Sequence, residues 1–204
     1  MSFYRHRTAV RAGAAIVLAL VLAFRAEAKD VSISYRTSTY QVSGETIQAV
    51  VKSMKRNGPH SYLHGRRALG MADYSYRTSL QTASEKGRCR VKQAKVTMHI
   101  KYIPPRLSRP KRLRASHRGR WHRIRSMIER HEHQHGRYYR LFAHQLQGAL
   151  ATIRPQKNCL AVHKQARQIK KRLESASMRR NRRYDRAQYS PFNRRLKRLA
   201  PKRR

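Results

Sequence analysis

The sequence predicts an α+β fold, with a small antiparallel sheet beside a long helix and a basic C-terminal tail. Three observations carry this. Residues 71–80 and 89–102 alternate apolar and polar side chains on either side of a polar turn. That is a hairpin without the crossover helix a parallel pair requires. Residues 118–153 place apolar side chains at steps of three and four, the period of one buried helical face. From Arg179 the chain is arginine-rich and too polar to build a core of its own.

Residues 1–28 read as a secretory leader. Arg5, Arg7 and Arg11 form a basic start, Ala12 to Phe24 an apolar run, and Ala26-Glu27-Ala28 a small-residue cleavage site. The apolar run is shorter than the roughly 20 residues a bilayer span needs, so cleavage after Ala28 is favoured over an uncleaved anchor. Val31, Ile33 and Tyr35 alternate with serines, and Tyr40 and Val42 repeat the pattern, giving one or two strands within 31–42. A helix over 45–56 buries Ile47, Val50, Val51 and Met54 and stops at Asn57-Gly58-Pro59. Residues 60–70 form a basic loop. Strands over 71–80 and 89–102 follow, the second with a slip near Gln93 that reads as a bulge. Pro104-Pro105 ends it. A basic connector, 106–117, leads to the long helix, which Pro155 closes. A further helix covers 160–178. The folded domain is expected over 29–189, with disorder over 190–204.

Charge is extreme: 49 Lys+Arg against 9 Asp+Glu, a net of +40. This attracts anionic surfaces non-specifically and says nothing of chemistry. It also makes each acid after the leader worth a role. No recognition motif for nucleic acid accompanies the charge.

The chemistry-bearing stretch is His131-Glu132-His133-Gln134-His135, an H-E-x-x-H pattern. One helical turn separates His131 from His135, so both imidazoles reach one Zn²⁺, and Glu132 stands beside them to take a proton from water. Both histidines lie within the apolar stripe formed by Trp121, Ile124, Ile128, Tyr138, Phe142 and Leu146. They therefore point inward. The bland alternative is an amphipathic helix that happens to carry histidines. With 11 His in the chain, roughly 0.02 chance matches are expected. His133 faces away from the pair. His144 lies about 13 Å further along the axis, out of reach.

Cys89 and Cys159 are the two cysteines. In an exported chain they are expected to pair, closing a loop worth roughly 4 kcal/mol on the chain-entropy model. The competing reading makes one a metal ligand or nucleophile.

Several of these residues also carry a family resemblance. Tyr40, Val42, Gly44 and Thr46, then Gly58-Pro59, Tyr74 and Tyr76, Cys89 and Val91, Pro104-Pro105, Trp121, His131-Glu132-x-x-His135, Asn158-Cys159 and Tyr184-Asp185 stand in the order of a bacterial domain of unknown function. That domain is known as a predicted secreted zinc-dependent protease, and the resemblance spans most of residues 35–190. It implies a zincin-like layout and zinc-dependent peptide hydrolysis. The family's closing motif runs Tyr-Asp-x-x-Thr-x-His-Gly; this chain has Gln188, Ser190 and Pro191 at its last three defined positions. Any zinc ligand at that His position is therefore missing.

A catalytic zinc site takes three protein ligands. Asp185, in the motif-like pair, is the first choice for the third, against a simple ion pair with a neighbouring arginine. Glu174 is the runner-up. The leading expectation is a secreted or periplasmic metallopeptidase acting on peptide or protein substrates. The rivals are an inactive zinc-binding cationic domain docked on an anionic envelope polymer, and a nucleic-acid binder. The tail is expected to drive adsorption to anionic surfaces and to be removable without harm to the metal site.

Overall fold

In the computed structural model, residues 30–61 and 65–201 are described. The leader read over 1–28, part of the basic loop and the last three residues lie outside them. The fold is α+β, as the sequence predicts, and its elements follow from local chemistry.

Strand β1, Val31–Thr37, and the short β2, Tyr40–Val42, precede helix α1, Ile47–Asn57. Thr46 caps α1, its hydroxyl accepting from the Ala49 N–H at 3.3 Å. The loop expected at 60–70 contains a small ladder, β3 (His60–Ser61) with β4 (Arg66–Arg67). Strands β5, Met71–Glu85, and β6, Arg88–Ile103, form the long hairpin. They extend further toward each other than the sequence suggested, because Lys86 and Gly87 turn the chain in two residues, both at positive φ (49° and 72°). This is the geometry that matches strand twist. The slip near Gln93 is a bulge: Gln81 pairs with Gln93 and Thr82 with Val91, leaving Lys92 as the extra residue. It keeps Cys89 and Val91 on the face that Ala94, Val96, Met98 and Ile100 continue.

The sheet order is β1-β6-β5. Here one expectation is corrected: β1 pairs with β6 in parallel, Val31 opposite Val96 through Thr37 opposite Tyr102. The hairpin occupies one side of β6, so the other side is open to a strand arriving from elsewhere. The chain between Thr37 and Arg88, which includes α1, is long enough to bring β1 in the same direction. Pro105 likewise begins a new strand, β7 (Pro105–Leu107), parallel to β2. A proline is tolerated there because a first strand position can lack its N–H.

Helix α2 spans Ala115–Ala151 and α3 spans Cys159–Leu199. Asn158 caps α3 by accepting from the Ala161 N–H at 2.9 Å. The Cys89–Cys159 disulfide forms as expected, with Cα atoms 5.0 Å apart, and pins the start of α3 to the start of β6. No helix among the described residues is long and apolar enough to cross a membrane.

Two apolar clusters divide the core along α2. One joins the sheet face to Tyr139, Phe142, Leu146 and Leu150 of α2 and Val162 of α3. The other joins Val42 of β2 and Ile47, Val50 and Met54 of α1 to Trp121, Ile124 and Ile128 of α2. The second cluster also contains Leu196, which is 8% exposed, with Phe192 and Leu199 packed on it. The C-terminal segment is therefore not free from residue 190. Helix α3 runs on to Leu199, and the Gln48 amide donates to the Pro201 carbonyl at 2.8 Å. The sequence predicts a helix only to 178, because the sparse apolar residues beyond look insufficient alone. They suffice because the apolar cluster of α1 and α2 receives them.

Candidate metal centre

Helices α2 and α3 pack antiparallel, and the centre lies where α2 passes from one apolar cluster to the other. Helical spacing brings His131 and His135 together, their Nε2 atoms 3.2 Å apart. From α3, Asp185 places Oδ1 3.2 Å from His131 Nε2 and 2.8 Å from His135 Nε2. These three residues form a group that could hold a metal ion. Ligand atoms held tetrahedrally at about 2.0–2.1 Å from a zinc lie roughly 3.3 Å from one another, so the separations fit such an ion. The donor set also fits, since three lone-pair atoms this close repel unless a cation or shared protons lie between them. Two imidazoles and one carboxylate suit a divalent transition-metal ion such as zinc or iron and leave coordination positions free.

Glu132 is more deeply buried than the sequence stripe implied, at 7% exposure. The reason is that α2 is covered on two sides. Toward the sheet it presents Glu132 and Tyr139, whose hydroxyl donates to the Ala72 carbonyl at 3.1 Å. Toward α3 it presents His131 and Tyr138, which both meet the Tyr184 ring, at centroid distances of 4.9 and 5.7 Å. Burial raises the Glu132 carboxyl above its usual range; His131 and His135 oppose that, Asp185 adds to it, and a backbone hydrogen bond from Ala72 opposes it. Gly70 makes room beside it: a Cβ there would lie 2.4 Å from Ile128 Cγ2 and 3.1 Å from Glu132 Oε1. The Tyr40 hydroxyl donates to the Leu69 carbonyl at 2.7 Å, and burial followed by the Glu132 charge raises its pKa.

For His135 the largest single effect is burial, which lowers its pKa. The hydrogen bond and charge of Asp185, then Asn181 and Glu132, outweigh it and leave the pKa raised. Its Nδ1 lies 2.6 Å from Asn181 Oδ1.

The structure thus brings together His131, His135 and Asp185, with Glu132 near enough to feel the charge of all three. It does not bring in Glu174, whose carboxylate accepts a hydrogen bond from Tyr76 against the sheet. Eleven residues before Asp185 on one helix, it lies about 16 Å away along the axis. His133 packs beside Tyr102, with centroids 4.7 Å apart, and His144 is exposed. Ser190, at the position of the family's closing His, is exposed as well. Asn181, Gly70 and Phe192 were missed from the sequence. No local pattern marks them, since each acts on a residue far away in the chain.

Fold and centre together define an α+β protein with a candidate His-His-Asp metal site between two antiparallel helices. Residues 37–190 match the family described as "Bacterial protein of unknown function (DUF922)", and the chain belongs to that family. The matched span contains all four site residues and both cysteines. No curated protein and no solved structure matches the chain.

Proposed function

We propose that the protein is an exported, zinc-dependent metallopeptidase. The observation that carries this is the convergence of His131, His135 and Asp185 on one point, with the buried Glu132 carboxyl alongside. Bound there, zinc would polarise a peptide carbonyl and make water acidic enough to attack near neutral pH. Glu132 takes the proton of the attacking water and passes it to the leaving amine. Burial raises the carboxyl's affinity for the proton, which favours holding it between the two halves of that transfer. His131, His135 and Asp185 would hold the metal. The leader-like residues 1–28 and the disulfide support a secreted or periplasmic setting. The exposed arginines support contact with anionic surfaces.

The test compares variants on an unstructured protein substrate. Glu132→Gln should keep zinc and lose about 10²–10⁴-fold in hydrolysis. His131→Ala, His135→Ala and Asp185→Ala should lose metal affinity and activity together. Equal, metal-independent background in wild type and Glu132→Gln would remove the enzyme reading. A second reading is a zinc-binding, inactive domain with a cationic docking surface. The covering of the centre by Tyr184 and Phe192 favours it. Under it, zinc would bind and the Glu132→Gln comparison would show no difference.

A further inference from the structure

We propose that Asn181 is a positioning residue of the metal centre, holding His135 with its proton on Nδ1 and its Nε2 turned to the metal. The inference rests on the metal-site reading above and extends it to a residue outside the H-E-x-x-H pattern. Asn181 is 2% exposed and lies one helical turn before Asp185 on α3. The two side chains therefore share a face and grip opposite nitrogens of one ring: Asn181 Oδ1 at 2.6 Å from Nδ1, Asp185 Oδ1 at 2.8 Å from Nε2.

The direction of the first contact follows from the amide. Asn181 Nδ2 donates to the Ser177 carbonyl at 2.9 Å, which has no proton to give. The amide oxygen must then be the atom facing His135. An amide oxygen only accepts, so His135 Nδ1 carries the hydrogen, and once Nε2 gives up its proton to a metal ion the lone pair is there. That lone pair is what a metal needs. His131 is held differently, by the Tyr184 ring stacked on it and the Phe192 edge at 5.7 Å. So α3 supplies the third ligand, the polar support of one histidine and the apolar support of the other. Partners of this kind fix the tautomer and orientation of a ligating histidine, and losing one costs about 10–100-fold in metal affinity.

The test is zinc affinity of the full chain, measured by competition with a chromophoric chelator. Asn181→Leu keeps the volume and removes the acceptor; it should bind zinc about 10–100-fold more weakly than wild type. Asn181→Asp restores an acceptor and should recover much of that loss. Asn181→Leu binding as tightly as wild type would overturn the inference. A second measurement stands whether or not the variants fold. In the zinc-loaded wild type, ¹⁵N–¹H correlation of the ring should show a hydrogen on His135 Nδ1, and its absence would overturn the inference too. Wild type that binds no zinc would take down the metal-site reading itself, an outcome distinct from wild type that binds while Asn181→Leu binds equally.

Discussion

At the scale of single residues, the acids sort by what surrounds them. Asp185 converges with two histidines and Glu132 lies near enough to feel the charge of all three, whereas Glu174 closes a hydrogen bond with Tyr76. Replacing Glu174 by Ala leaves the Tyr76 hydroxyl without that acceptor. It should lower stability by about 1–2 kcal/mol, with zinc affinity unchanged. Asp185→Ala should do the reverse, losing metal with little effect on the metal-free fold. Chemical denaturation and chelator competition on the two variants distinguish the roles. Loss of zinc in Glu174→Ala would return it to the centre. Gly70 is a second residue with a specific demand. Gly70→Ala would push a methyl into Ile128 and against Glu132 Oε1. It should cost about 1–3 kcal/mol and, on the peptidase reading proposed above, lower hydrolysis by displacing Glu132.

At the scale of elements, the decisive one is α3. Its first half closes the sheet cluster, its middle supplies Asp185 and Asn181, and its end inserts Leu196 into the cluster of α1 and α2. Leu196→Ala should cost about 2–3 kcal/mol, read from denaturant midpoints. Truncation at residue 190 also removes Phe192 from the His131 ring and should weaken zinc binding. That reverses what the sequence suggested, that these residues could be deleted without touching the site. A truncated chain with wild-type stability and zinc affinity would restore the earlier view.

At the scale of the whole molecule, one covalent tie and a large charge govern behaviour. The Cys89–Cys159 bridge joins residues 70 apart in the chain. On the chain-entropy model its removal costs roughly 4 kcal/mol, so reduction or the double Ser variant should lower the melting temperature sharply. On α2 and α3, Glu129 pairs with Arg125, and Glu132, Glu174 and Asp185 are engaged inside the fold. The many exposed arginines of these helices therefore meet little opposing charge. Adsorption to an anionic polymer should fall steeply with salt. It should largely survive removal of residues 190–204, since most of the 49 Lys+Arg lie elsewhere.

The sequence by itself determined what is local. The spacing of His131 and His135 is set by the helical period, the polar turn within Ser84 to Gly87 by a glycine that accepts positive φ, and the disulfide by there being two cysteines to pair. The identity of Asp185 as the third member was legible as well, through scarcity of acids and a motif-like neighbour. What only the tertiary structure decided is everything that depends on two elements meeting. A strand's own pattern does not say which edge it joins, so β1 came out parallel to β6. A stripe on α2 says which arc is buried but not by what, so Glu132 lies deeper than the pattern implied. Asn181 shows no signal of its own in an arginine-rich helix. It acquires meaning from His135, 46 residues earlier, because the packing of α3 on α2 fixes which of its faces looks inward.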